Sequence, residues 1–210
     1  MASPSTPSID TGIAIDWRQA PPTLCSTRVT LRELHPSDAQ SLVTLLTADE
    51  VSRFISRPPS TVDGFERFIS WAQRQRHTGA NICFAVTLTG DDTAIGVFQL
   101  RELDRAFRAA GWGFAVGSAF WGSGVFAEAA DLALGFAFER LGIHRIEARA
   151  CAQNGRGNAA LRKIGAVNEA VLRRSFLRDS DYLDQNLWTI VDEDWQIQKD
   201  WSRRGGLILH

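Results

Sequence analysis

Cysteine is scarce in this chain of 210 residues, and the three present, Cys25, Cys83 and Cys151, lie far apart with no Cys-x-x-Cys spacing. That excludes a disulfide framework and a structural zinc site, and it fits a reducing cytoplasm. Histidine is sparse as well: His35, His77, His144 and His210 show no metal-ligand spacing, so no metal is expected. Positive charge is not in excess, because 23 Lys and Arg stand against 24 Asp and Glu for a net charge of −1. No global field draws a phosphate backbone, which argues against nucleic acid as the main partner. No stretch approaches the roughly 18 uninterrupted apolar residues of a membrane span. The start, from Met1 to Ser8, has neither a basic n-region nor an apolar h-region, so neither membrane nor export is expected.

What is present is the composition of an ordinary globular protein, with 44% hydrophobic and 22% charged residues, and a length suited to one domain with one substantial core. The Ser/Thr/Pro-rich opening and the lead-in around Trp17 and Pro21-Pro22 make residues 1–26 a flexible arm. The domain is expected over 27–195 and a tail over 196–210, helical near Trp195 and fraying at Arg203-Arg204-Gly205-Gly206.

Hydrophobic periodicity gives the elements. Arg28 to Leu34 alternates like a half-buried strand, and Ser37 to Gln40 matches a capping box that opens a helix with Leu42, Leu45 and Leu46 on one face. After Pro58-Pro59, Ser60 or Thr61 caps a second helix whose stripe is Phe65, Phe68, Ile69 and Ala72, and Gly79 stops it. Strands follow over Ile82–Leu88, Ile95–Leu103 and Ala110–Gly117, a meander of antiparallel neighbours. A helix from Ala127 to Leu141 ends at Gly142, Ile143–Ala152 is the next strand, and Asn154 opens a short helix ending at Gly165. Val167–Leu177 and Leu183–Val191 close the order as a strand pair. The pattern is α+β with a strand–helix–strand unit at its centre.

That central unit carries the chemistry. A strand ending at Gly117, then Trp121-Gly122-Ser123-Gly124-Val125-Phe126-Ala127-Glu128 running into a helix, gathers free N–H groups and a positive helix end at one point, where phosphate binds. A tight turn needing two glycines explains the same residues. The loop is not a dinucleotide fingerprint, since Ala127 stands where the third glycine belongs, and it lacks the Lys-Ser/Thr pair of a P-loop.

Gly122-x-Gly124-x-x-x-Glu128-Ala129 resembles the pyrophosphate loop of the GNAT acetyltransferases, in the version of the ribosomal-protein N-terminal acetyltransferases (RimJ/RimL type). Gly142-Ile143-His144-Arg145-Ile146-Glu147 is similar to that family's strand entry, and Asn154-x-x-x-Asn158-x-x-Leu161-x-Lys163-x-Gly165 to its second signature. The likeness runs from Thr27 to about Trp195. It implies a twisted mixed sheet of about seven strands, mostly antiparallel, flanked by helices and splayed between the strands ending at Gly117 and Ala152. Acetyl-CoA would insert its pantetheine arm in that cleft. By resemblance, main-chain groups of Ala115 and Val116 pair with the pantetheine amide, the N–H groups from Gly122 to Ala127 hold the pyrophosphate, Asn154 and Asn158 flank the arm, and Lys163 lies on the coenzyme side. A homodimer is a further expectation of the resemblance.

The implied reaction is direct attack of a neutral amine on the thioester in a ternary complex, with proximity and a polarised carbonyl supplying most of the rate. Two positions depart from the pattern. Some Rim-type enzymes use a serine three residues after the signature Asn as acid and a glutamate on the following strand as base; here those positions are Gly157 and Phe176. Asp181, Tyr182 and Asp184 match the segment beyond, so the alignment holds. A thiol with a pKa of about 8.5 leaves without much help, and an α-amine of pKa about 7.7 to 8.0 is roughly a tenth neutral at pH 7, against less than about a thousandth for lysine. A missing base therefore favours a low-pKa α-amine.

Glu102 and Glu33, at strand ends, are the candidate substitute bases, with a salt-bridged strand end as the competing reading, and Tyr182 is the candidate acid. Cys83 and Cys151 sit in apolar strands as buried, inert thiols. Trp112 and Trp121 flank the expected cleft, where core packing is the favoured reading and lining of the acceptor side the other. Arg101, Arg105 and Arg108 form one basic group and Arg173, Arg174 and Arg178 another, either a solvated face or a contact for CoA phosphates, an acidic substrate or rRNA. The expectation is an N-acetyltransferase acting on a protein or peptide N-terminus. The alternatives are a small-molecule amine acetyltransferase and a non-catalytic acyl-CoA-binding protein.

Overall fold

Eight strands make one sheet in the order β1-β2-β3-β4-β5-β6-β8-β7, one more than the sequence pattern predicts. The computed structural model describes residues 16–106 and 108–203; the first fifteen residues of the expected arm and the segment from Arg204 lie outside the described residues. The extra strand is β1 (Leu24–Cys25), which falls in the expected lead-in and pairs with β2 (Val29–Glu33). Two residues carry too little periodicity to be legible as a strand.

The first helix starts with a 3-10 turn over Pro36–Asp38 and continues as α1 (Ala39–Leu46). Its cap differs from the Ser37–Gln40 box: the Asp38 carboxylate accepts from the His35 N–H at 2.8 Å and also from the Arg32 guanidinium. After the short α2 (Asp49–Ser52), Thr61 caps α3 (Val62–Thr78) by accepting from the Gly64 N–H, and Gly79 ends it in the left-handed conformation that glycine adopts at little cost.

The meander follows as β3 (Asn81–Leu88), β4 (Asp91–Asp104) and β5 (Ala109–Val116), each antiparallel to the next. α4 (Val125–Gly135) runs on as a π-helical turn over Phe136–Arg140, and the chain returns as β6 (Arg145–Cys151) parallel to β5, as a helical crossover requires. α5 (Gly155–Lys163), the long hairpin β7 (Val167–Arg178) and β8 (Asp181–Val191), and α6 (Asp192–Arg203) complete the order. α6 carries through eight of the residues expected as tail, and its Trp195 is buried against Phe138.

Both faces of the sheet are covered. Val125, Ala129, Ala133 and Leu134 of α4 pack with Ile82, Phe84, Phe98 and Trp112 on one face. Leu42 and Leu46 of α1 and Phe65, Ile69 and Ala72 of α3 pack with Cys83 and Ala85 on the other. Small residues along α4 let it lie close to the strands, which is what brings the glycine loop to the end of β5. Burial pushes the Cys83 thiol up to about 12, consistent with an inert side chain.

Candidate active site

β5 and β6 pair only from Ala109↔Arg145 to Trp112↔Ala148. Beyond Trp112, β5 stays with β4 and β6 stays with β8, so the two parallel strands part and leave main-chain groups without a ladder partner. The Gly117 N–H donates to the Ile95 carbonyl at 2.9 Å. Alternation along an antiparallel ladder then turns the N–H and C=O of Ala115 toward β4 and those of Phe114 and Val116 toward the gap. Of the pair Ala115 and Val116, only Val116 presents its main chain to the cleft, and Phe114 is the second strand residue that does so. The parity of a strand is invisible until its register is known.

A cavity of about 710 Å3 occupies the gap. Its walls are β5, the α5 start, Phe176 and Gln185 of the β7–β8 hairpin, and the segment 50–59 that joins α2 to α3. Gly113 has no atom within 4 Å of the position a Cβ would take, so β5 is bare in the middle of the cleft.

The glycine loop closes one end. After a 3-10 turn at Ser118–Phe120, Gly122 and Gly124 both take positive φ, 76° and 89°. A Cβ at Gly122 would meet nothing within 4 Å, so its backbone faces open space. The Val125 N–H reaches the Ser123 hydroxyl at 3.4 Å, and the first helical bond runs from the Glu128 N–H to the Gly124 carbonyl. Among the described residues, the N–H groups of Gly122, Ser123, Gly124, Phe126 and Ala127 have no acceptor. Five unpaired donors at a helix start form a seat for an anion.

The loop is held by side chains from a hundred residues away. Glu128, in the first turn of α4, accepts from the Ser26 hydroxyl at 2.6 Å and from the Arg28 Nε at 2.5 Å, which keeps its carboxyl below the usual carboxylate range. Arg28 also donates to the Ser123 carbonyl at 2.9 Å and lies over Gly124. Sequence reasoning missed Arg28, because nothing in the chain's local pattern links it to the loop. Trp121 donates its indole N–H to the Val116 carbonyl at 3.0 Å, and the Arg156 guanidinium sits 4.6 Å above its ring, bridging the loop to α5 across the mouth of the gap.

The second signature behaves differently. Asn154 lines the cavity and caps α5 by accepting from the Gly157 N–H. Asn158 is buried and wholly engaged: its Nδ2 donates to the Cys151 and Asn154 carbonyls, and its Oδ1 accepts from Asn186 and the Trp188 indole. It locks α5 to β6 and β8 and does not flank the cleft. Lys163, exposed at the end of α5, is outside the cavity too.

The three candidate proton-transfer residues lie elsewhere. Glu33 is paired with the buried Arg76 at 2.8 Å, Glu102 is paired with Arg105 at the opposite end of β4, and Tyr182 is exposed at the hairpin tip. Glu33 and Glu102 were legible as strand-end residues, but only the strand order and direction place Glu102 at the end away from the cleft and Glu33 three strands from β5. Gly157 and Phe176 do line the cavity, as the alignment with the Rim-type helpers requires. Among the described residues, the one carboxylate in the lining is Glu50. Its own backbone N–H and the Ser118 hydroxyl, at 2.8 Å, hold it below the usual carboxylate range, which makes it a weak proton acceptor. Arg53, Arg57, Arg149 and Arg156 line the same space.

Among the described residues no group of three or more His, Cys, Asp or Glu side chains is placed to hold a metal, and no helix is long and apolar enough to cross a membrane.

Comparison with known proteins bears on this geometry. The model of the acetyltransferase (GNAT) domain matches residues 28–167. The Bacillus subtilis protein named "Putative ribosomal N-acetyltransferase YdaF" is 25% identical over 175 residues, 81% of this chain and 95% of that one. Among solved structures, Mycobacterium smegmatis RimJ in complex with CoA-disulfide superposes with a TM-score of 0.79 at 23% identity, over 88% of this chain and 95% of that chain. The ribosomal-protein-S5-alanine acetyltransferase of Vibrio fischeri does so with a TM-score of 0.72 at 18% identity, over 82% of this chain and 98% of that chain.

Proposed function

Because the chain belongs to the GNAT acetyltransferase family, we propose that it transfers an acetyl group from acetyl-CoA to the α-amine of a protein or peptide N-terminus. The observation that carries this reading is the coincidence of five unpaired N–H groups on the glycine loop with the parting of β5 from β6. In this reading the loop from Gly122 to Ala127 receives the pyrophosphate, and the main-chain groups of Phe114 and the N–H of Val116 pair with the pantetheine. The names of YdaF and the S5 acetyltransferase support a ribosomal protein as acceptor.

The lining argues for the class of amine. With Arg57 paired to Asp179, the lining still sets Arg53, Arg149 and Arg156 against Glu50, which makes the cavity unfavourable for a polyamine or an aminoglycoside. Glu50, held in its ionised form, is a poor base, and Gly157 and Phe176 offer none. An amine that is already partly neutral at pH 7 needs least help. The residues then act chiefly by holding the two reactants together while the thiolate leaves unassisted.

The test is thiol release from acetyl-CoA with peptides bearing free α-amines, the same peptides α-blocked but carrying lysine, and a set of small amines. Release with the free α-amines alone is expected. Release only with lysine or with small amines overturns the acceptor class, and silence across all three with acetyl-CoA binding intact turns the reading to a non-catalytic acyl-CoA-binding protein.

A further inference from the structure

The hairpin that opens the sheet reaches across to the glycine loop. Between β1 and β2, Ser26 turns the chain: its N–H donates to the Val29 carbonyl at 2.8 Å, and its hydroxyl accepts from the Val29 N–H at 3.0 Å. The Arg28 carbonyl is fixed by the Thr89 N–H at 2.9 Å. Ser26 and Arg28 are thereby presented together to Glu128, which accepts from the Ser26 hydroxyl, from the Arg28 Nε and, at 3.2 Å, from the Arg28 main-chain N–H.

This arrangement acts on an anion in two ways. The first is direction. The Arg28 Nη1 donates to the Ser123 carbonyl. Among the described residues every peptide bond is trans, and in a trans peptide the carbonyl and the following N–H point opposite ways. With the Ser123 carbonyl turned to Arg28, the Gly124 N–H is turned away from it, and that N–H is one of the five without an acceptor. The second is charge. Glu128 stands in the first turn of α4, where the positive helix end that is to hold an anion attracts its carboxylate as well. Left alone, that carboxylate repels a phosphate. The Arg28 guanidinium, 2.5 Å away, balances it, and among the described residues no other Lys or Arg pairs with Glu128.

We propose that Arg28 is a positioning residue for the diphosphate of the cosubstrate. From behind the loop it holds the Gly124 N–H toward the ligand and neutralises Glu128, without itself touching a phosphate. This rests on the reading that the loop receives the diphosphate of acetyl-CoA.

The test is titration calorimetry on the full chain and its variants, with acetyl-CoA and with pantetheine, the arm that lacks the diphosphate. Arg28→Ala is expected to weaken acetyl-CoA binding by about tenfold or more and to leave pantetheine within about twofold. Adding Glu128→Gln to Arg28→Ala should recover about threefold or more of the lost affinity, because it removes the unbalanced charge. A mere brace would lose further affinity when its second half is removed. Should Arg28→Ala not fold, Arg28→Lys gives the reading: one ammonium balances Glu128 but cannot also fork to the Ser123 carbonyl, so affinity should fall by about threefold. Acetyl-CoA bound as tightly by a folded Arg28→Ala or by Arg28→Lys as by the wild type, pantetheine weakened as much as acetyl-CoA, or a double variant no tighter than the single one overturns the proposal while leaving the loop reading in place. A wild type that does not bind acetyl-CoA overturns the loop reading, and the proposal with it.

Discussion

The glycine loop and the Asn154–Asn158 turn both border the same cleft, and both carry a signature, yet they spend their polar groups in opposite ways. The loop leaves five N–H groups unpaired and uses side chains from elsewhere, Ser26 and Arg28, to hold it in place. The turn leaves almost nothing: Asn154 caps a helix and Asn158 satisfies both ends of its amide inside the protein. A motif residue therefore belongs to ligand binding only if its polar groups are still free once the fold has formed.

The sharpest way to break that contrast is at Asn158. Asn158→Leu removes the partners of Asn186, Trp188 and two carbonyls at once, and is expected to cost about 3 kcal/mol or more of stability by chemical denaturation. The folded fraction should keep its acetyl-CoA affinity; a stable variant that no longer binds would move Asn158 to the ligand side. Gly124→Val should do the reverse. The left-handed φ of 89° disfavours any side chain there, by about 1–2 kcal/mol. Displacing Arg28 from the loop adds to this, so acetyl-CoA affinity should fall by about tenfold or more while the fold persists.

Smaller effects separate the carboxylates. Glu50→Gln is expected to lower kcat by no more than about threefold, and Glu102→Gln and Glu33→Gln by less than about twofold, where a poised general base is worth about a hundredfold or more. A hundredfold loss in Glu50→Gln would make it the base despite its depressed pKa.

The least effect is expected at the closed end of the same strand pair. Arg145, at the start of β6, joins Glu147 and Glu169, and with the Thr189 hydroxyl it brings the Glu169 carboxyl from 4.5 down to about 2. A lowered folded-state pKa stabilises the protein above pH 4.5, and that contribution is lost as pH falls toward 2. Because Glu169 is about two-fifths exposed, the pair is screened and should be worth under about 1 kcal/mol. Acid melting curves of Glu169→Gln should lie below wild type at pH 5 and meet it near pH 2.

Much of the fold was legible because its signals are local. Thr61, Gly79 and the stripe from Phe65 to Ala72 define α3 within its own residues, and the two glycines with the helix behind them define the anion seat. What was not legible depends on register and direction. Ala115 and Phe114 exchange roles because the Gly117–Ile95 pairing sets which residues of β5 face the gap. Glu33 and Glu102 read as strand-end carboxylates, and only the strand order and direction put Glu102 at the end away from the cleft.

By itself, then, the sequence determined the periodic elements, the glycine loop and the family to which they belong, since each depends on residues a few positions apart. The tertiary structure alone decided which groups remain unpaired: the donors of the loop, the main chain of Phe114, the N–H of Val116, and the amide of Asn81. Hydrogen-bond satisfaction is a property of neighbours in space, and those neighbours come from parts of the chain up to a hundred residues away.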